Sequence, residues 1–237
     1  FEGQVFTSFV NLLEKKDKLT ETDRENIALR RWTHVIEPFT IPFDWPRYMS
    51  FDHGFSTPFS IGWWAVDPKG RVYRYREWYG KEKTPRELVD GILMREKFER
   101  DNAISIIRIA DPHIFDTESN GLSVAKQMEP NSSRNLLGMT FRSGDNARIA
   151  GKMQLHERLR FDKDGYPMIY FFSNCEDSIR TIPNLPYSTK KVEDVDTTAE
   201  DHCYDDVRYF LMARPLGPRP KLYTRSKAEG PYSGVAM

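Results

Sequence analysis

The segment Glu200-Asp201-His202-Cys203-Tyr204-Asp205-Asp206-Val207-Arg208-Tyr209 holds four carboxylates and one histidine within ten residues. On a helix, Cys203, Val207, Phe210 and Leu211 form an inward stripe at i, i+4, i+7 and i+8. His202 and Asp205 then share a face, with Asp201 one turn before Asp205. An anionic first turn complements the helix dipole, so one reading is a well-capped acidic helix start. The other is that one of these aspartates ligates a metal whose remaining ligands lie elsewhere. Two further aspartates qualify by position. Asp52 ends the alternating run Arg47-Tyr48-Met49-Ser50-Phe51, and Asp111 follows the apolar run Ile106-Ile107-Arg108-Ile109-Ala110. Either alone could be a turn residue. Together, on adjacent strand ends facing a third aspartate on a packed helix, they would make an all-oxygen pocket where α/β sheets collect ligands. Such donors suit Mg²⁺ or Mn²⁺ better than zinc. Without a cation, three crowded carboxylates repel and one takes up a proton. Two ions about 4 Å apart suit in-line displacement at phosphorus.

The elements that must position these residues follow from the residue pattern. Segments 47–52, 59–66 and 71–78 read as a three-strand meander, with Asp67-Pro68-Lys69-Gly70 as a turn. Thr84-Pro85-Arg86-Glu87 is a capping box opening a helix to about Arg100, with Leu88, Ile92 and Phe98 inward. The strand 105–110 returns after this crossover and pairs parallel with the meander. A short helix near Ser123 to Met128 and a strand over Asn135 to Phe141 follow. Next come a helix from Arg148 to Leu159 with Ile149, Met153 and Leu159 inward, a strand over Pro167 to Phe172 and a helix from Cys175 to Ile182. Residues 183–200 read as a polar loop. The class is α/β, a mixed sheet flanked by helices. Trp63, Trp64, Tyr73, Tyr75, Trp78 and Tyr79 could stack on bases, but are expected first to fill the sheet faces. Glu77 is read as an exposed strand residue ahead of a fourth carboxylate near the pocket, and His53 as a packed turn histidine ahead of a ligand. Cys175 and Cys203 read as small buried residues.

Composition narrows the classes. The 237 residues carry 35 Lys and Arg against 35 Asp and Glu, which argues against a wholly basic nucleic-acid-coating protein and leaves room for a local basic groove. No run of 18 apolar residues offers a membrane span. Two cysteines exclude a disulfide framework or a four-cysteine zinc site and point to a reducing compartment. In residues 1–36 the apolar positions Leu12, Leu13, Leu19, Ile27, Leu29 and Trp32 are too sparse for a core. That stretch is expected to be a linker or small subdomain resting on something N-terminal. The main domain is expected over 37–215, with a flexible tail over 216–237. No G-x-x-x-x-G-K-[ST] loop occurs, so ATP hydrolysis is not expected.

Asp52-His53-Gly54, Ala110-Asp111-Pro112 and the D-H-x-x-D-x-x-R-Y pattern of Asp201 to Tyr209 resemble the nuclease domain of tailed-phage large terminase subunits. The resemblance covers about residues 37–215, including the lead-in Ile41-Pro42-Phe43-Asp44-Trp45 and the segment Cys175 to Leu185. It implies an RNase H-like (retroviral-integrase-type) fold. It also implies Asp52, Asp111 and Asp205 as catalytic, metal-binding carboxylates, with Asp52 bridging two Mg²⁺ or Mn²⁺ ions. His202 would ligate metal or orient a water, and Asp206 would share the metal or line the DNA side. The implied activity is endonucleolytic cutting of concatemeric viral DNA during genome packaging, in the host cytoplasm. Implied partners are double-stranded DNA, the portal, the small terminase subunit and a preceding ATPase motor, whose end Glu2 to Phe6 resembles. A nuclease on duplex DNA needs phosphate contacts, for which Arg134, Arg142, Arg148, Lys152, Lys190 and Lys191 are candidates. Alternatives are another RNase H-like nuclease (junction resolvase, RNase H or strand transferase) or a non-catalytic docking domain for DNA or portal.

Overall fold

Segments rich in β-branched and aromatic residues form the sheet, as their shape on a pleated surface favours. The computed structural model describes residues 3–117, 121–131 and 137–216. Its strands are β1 (Val35–Ile36), β2 (Arg47–Asp52), β3 (Phe59–Val66), β4 (Val72–Gly80), β5 (Ile106–Ala110), β6 (Arg142–Ser143) and β7 (Ile169–Phe172). They form one sheet in the order β1-β7-β4-β3-β2-β5-β6. The meander β2-β3-β4 is antiparallel, as expected, and β5 joins β2 in parallel. β7 and β1 extend the other edge in parallel. The helices are α1 (Glu21–Leu29), α2 (Pro85–Arg95), α3 (Lys97–Asp101), α4 (Val124–Met128), α5 (Arg148–Leu159), α6 (Glu176–Thr181) and α7 (His202–Ala213).

Strand alternation divides the core in two. From β2, Met49 and Phe51 pack with Leu88, Val89 and Ile92 of α2 and with α4. Tyr48 faces the opposite side, where Val207, Phe210 and Leu211 of α7 and Leu155 and Leu159 of α5 cover the sheet. Trp64 stacks on Phe210 with ring centroids 4.3 Å apart, a contact worth about 1 kcal/mol beyond its buried area. Trp63, Trp64, Tyr73 and Tyr75 are buried, as expected.

Four expectations change. Residues 3–36 pack on this domain: Val5 and Phe6 are core, the Val5 N–H donates to the Leu185 carbonyl at 2.8 Å, and β1 pairs with β7. Residue 37 is therefore not a packing boundary. The helix begun at the Thr84 capping box breaks at Glu96, whose buried carboxylate accepts from Trp63 Nε1 at 3.0 Å and pairs with Arg108. Beyond this break Phe98 lies exposed. Along 137–141 there is no strand, because the Met139 N–H donates to the Met128 carbonyl at the end of α4; only Arg142 and Ser143 reach the sheet. Residues 132–136 lie outside the described residues. In α5, Ile149 and Met153 face solvent and Gly151, Lys152, Leu155, Arg158 and Leu159 face inward. The cause is close approach to α7, since a Cβ on Gly151 would lie 2.2 Å from Arg208 Cγ. The stems of Lys152 and Arg158 complete that interface. Among the described residues no helix is long and apolar enough to cross a membrane.

His34 ties the N-terminal segment to the core. Its Nδ1 accepts from the Val10 N–H at 2.9 Å, and its Nε2 lies 2.8 Å from the Leu159 carbonyl. Burial pulls its pKa from 6.5 down to about 4. As pH falls the unfolded chain binds this proton first. The stabilisation is therefore complete above about pH 6.5 and is lost between 6.5 and 4, by about 3 kcal/mol. The thermal midpoint of wild type is expected to fall through that window more steeply than that of His34→Gln, and parallel pH profiles would refute this.

Candidate metal centre

β2 and β5 are parallel neighbours with Phe51 opposite Ala110, and the Asp111 N–H donates to the Phe51 carbonyl at 2.8 Å. Asp52 and Asp111 thus stand side by side at adjacent strand ends. Both are buried. The Asp111 carboxylate accepts the His113 N–H at 2.9 Å, capping the single turn Pro112–Phe115. His202, first residue of α7, places Nδ1 3.0 Å from Asp52 Oδ2. Asp201 precedes α7, yet its side chain caps no helical N–H. Capping therefore does not account for the acidity of this helix start.

Asp205 faces the same region. Both its oxygens lie 3.2 Å from Arg148 Nη1, and Arg208 Nε donates to one of them at 3.1 Å. The Asp52 carboxyl is pushed well above the usual carboxylate range, by burial first and then by repulsion from Asp205, Asp111, Asp206 and Asp201. Asp201 is raised to about 7 by burial and by Asp205, against the pull of Arg148 and His202. Among the described residues no three His, Cys, Asp or Glu side chains converge as a ready-made ligand set. Asp52, Asp111 and Asp205 are each turned to a neighbouring donor instead. Their chemistry nonetheless fits a hard divalent ion: three carboxylates whose mutual repulsion a cation would relieve.

Asp206 does not belong to this group. It is fully buried beneath α7, with one oxygen 2.5 Å from Arg74 Nη1 and the other 2.9 Å from Nη2. The Ser50 hydroxyl donates to it at 2.9 Å, and the Ser60 hydroxyl bonds it as well. Both oxygens are thus taken and the side chain is directed at the sheet, not toward an exposed surface. Burial works against the charge of Arg74, but the Asp206 ion pair outweighs it and holds the guanidinium pKa above its ordinary value. Glu77 belongs to this network and is not an exposed strand residue. It accepts from Arg74 Nε at 3.2 Å, from the Asp177 N–H at 2.6 Å and from the Ser178 hydroxyl at 2.7 Å, at the start of α6. Arg74 and Glu77 would project to opposite faces of a regular strand; a bulge in the β3–β4 register between Trp63 and Trp64 brings them together. Gly62 makes room, since a Cβ there would lie 2.0 Å from Arg74 Nη1.

The candidate phosphate contacts separate. Arg142, Lys190 and Lys191 are exposed. Arg148 is partly exposed and bound to Asp205 and Asp194; Lys152 is buried, and its ammonium bonds the Glu193 carbonyl, 5.4 Å from the Tyr187 ring. Arg134 lies outside the described residues. Sequence reasoning missed Asp194 and the part of Arg208. The i, i+3 spacing of Asp205 and Arg208 was a signal for the second, but nothing local marks the first. His53 packs edge-on to Phe51, and Cys175 and Cys203 are buried.

No protein-family model matches the sequence, and no curated protein matches it significantly. Solved structures do. The P22 large terminase nuclease domain aligns with a TM-score of 0.58 at 16% identity, over 90% of this chain and 93% of that one. A large terminase from a thermophilic bacteriophage aligns with a TM-score of 0.56 at 21% identity, over 78% of this chain and 42% of that one. The chain has the fold of a phage large-terminase nuclease domain. That fold is RNase H-like, and the seven-stranded mixed sheet between helices agrees with it. The large terminase nuclease of a second thermophilic phage, G20c, solved with bound cobalt, aligns with a TM-score of 0.51 at 9% identity, over 88% of this chain and 96% of that one. The chain spans less than half the length of the first thermophilic phage's large terminase.

In this terminase-nuclease-like fold the neighbours Asp205 and Asp206 should separate in experiment. Asp206→Asn leaves the Arg74 charge buried without its main partner and is expected to cost about 3 kcal/mol. Asp205→Asn, at a partly exposed pair, is expected to cost about 1 kcal/mol or less. Urea denaturation measures both, and equal stabilities would contradict the assignment.

Proposed function

We propose that this domain is a divalent-metal-dependent endodeoxyribonuclease that cuts concatemeric viral DNA during genome packaging. The observation that carries this reading is the crowding of Asp205 and Asp111 around buried Asp52 at adjacent strand ends. The likeness to phage terminase nuclease domains supports it, and the cobalt bound by the G20c neighbour supports a divalent ion. Asp52, Asp111 and Asp205 would hold two Mg²⁺ or Mn²⁺ ions. Such ions lower the pKa of an attacking water and stabilise the leaving oxygen of an in-line displacement at phosphorus. His202 orients the Asp52 carboxylate, leaving its second oxygen free of this contact. Exposed Arg142, Lys190 and Lys191 would hold the DNA backbone without reading sequence. Double-stranded DNA is the substrate in this reading. The portal, the small terminase subunit and a preceding ATPase motor are the expected partners, in the cytoplasm of the infected host.

Digestion of supercoiled plasmid tests this. Cutting is expected with Mg²⁺ or Mn²⁺ and none with EDTA. Asp52→Ala, Asp111→Ala and Asp205→Ala should each lose at least the roughly 10–100-fold that removing even an outer partner costs a metal site. EDTA-resistant cutting, or full activity in all three variants, would overturn the proposal. Preference for an RNA–DNA hybrid would move the assignment to an RNase H.

A further inference from the structure

Arg148 opens α5 and reaches three carboxylates. Its Nε lies 2.9 Å from Asp194, Nη1 lies 3.2 Å from each oxygen of Asp205, and Nη2 lies 3.6 Å from Asp201. The three contacts are unequal. The Asp194 bond has the length of a good charge-assisted pair, about 2.7–2.9 Å. At Asp205 a single nitrogen is shared between both oxygens at longer range, instead of the parallel two-nitrogen fork that arginine and carboxylate prefer. Nη2 is buried and makes no hydrogen bond at all. Arg148 is thus anchored on Asp194 and only loosely seated on Asp205. The other cation on Asp205 differs: the Arg208 side chain is fully buried, lies against Gly151 and donates to Asn146 at 3.0 Å. If a cation leaves Asp205, it is Arg148, which keeps about a quarter of its side chain exposed.

We propose that Arg148 is a resident counter-cation of Asp205 that a divalent ion must displace. It neutralises one member of a crowded set of carboxylates, and in doing so occupies both oxygens that Asp205 would offer an ion. Metal entry and the Arg148–Asp205 pair are therefore competing states of one carboxylate. Asp194 retains the guanidinium when it leaves, so the competition is confined to the Asp205 end. This inference rests on reading Asp52, Asp111 and Asp205 as the metal ligands.

The test is Mn²⁺ binding to the full chain, followed by the electron paramagnetic resonance of free Mn²⁺, in wild type, Arg148→Gln, Arg148→Lys and Asp205→Asn. Removing the competitor is expected to lower the Kd in Arg148→Gln by about fivefold, as roughly 1 kcal/mol of lost competition requires. Arg148→Lys, which cannot span Asp194 and Asp205 with one planar group, should shift the same way by a smaller factor. Asp205→Asn should weaken binding. Wild-type binding that is unchanged or weakened in both Arg148 variants would overturn the competition while leaving the metal site standing. Absence of Mn²⁺ binding throughout, or binding indifferent to Asp205→Asn, would overturn the metal assignment and this inference with it. Circular dichroism melting verifies that the Arg148 variants fold.

Discussion

The buried pair of Arg74 and Asp206 sets the position of α7, and α7 sets the site. Burying two charges costs more than their attraction returns unless every remaining donor and acceptor is matched. Here Ser50, Ser60 and Glu77 supply the matches, from β2, β3 and β4. The satisfied network therefore has one geometry, with Asp206 centred over the meander. Helix and strand periods do the rest. His202 lies four residues before Asp206, about 6 Å along the helix, and Asp52 lies two residues after Ser50, about 6.6 Å along the strand. Seating Asp206 at Ser50 therefore seats His202 at Asp52. Asp205, about 100° around the helix from Asp206, is turned off the sheet toward α5, where Arg148 receives it.

Small residues make these approaches possible. Gly62 admits the Arg74 guanidinium under α7, and Gly151 admits the Arg208 stem between α5 and α7. Around them the stack of Trp64 on Phe210 and the donation from Trp64 Nε1 to the Ser50 hydroxyl at 2.7 Å join apolar packing to the polar network. The core on this side is thus partly ionic, and its ionic part orients the helix that carries Asp205 and His202.

The surface of the same helix is electrostatically different. Asp206 takes both terminal nitrogens of Arg74, which also bonds Glu77 through Nε, whereas Asp52, Asp111, Asp201 and Asp205 crowd one region served by His202, Arg148 and Arg208. Two adjacent aspartates thereby acquire opposite tasks. One is spent on fixing the helix, and the other stays among the crowded carboxylates, paired with Arg148 and Arg208.

Much of this was legible in the residues. The meander, the crossover helix, the parallel return of β5 and the closing helix follow from alternation, the Thr84 capping box and a 3.6-residue stripe, all of which are local. Asp52 and Asp111 were legible as strand-end carboxylates for the same reason. What pattern could not convey depended on contacts across the chain. Asp205 and Asp206 are chemically identical and adjacent, and only Arg74, 132 residues away, decides which one is buried. Ile149 and Met153 fit an inward stripe, yet Gly151 against Arg208 turned α5 the other way. Arg148 and Lys152 looked like free cations until Asp194, Asp205 and the Glu193 carbonyl claimed them. Sequence by itself determined which carboxylates stand at the ends of elements, because strand and helix periods are local. Tertiary structure alone decided which of them is buried in a matched ion pair and which crowd together, because desolvation and pairing depend on neighbours that local periodicity does not encode.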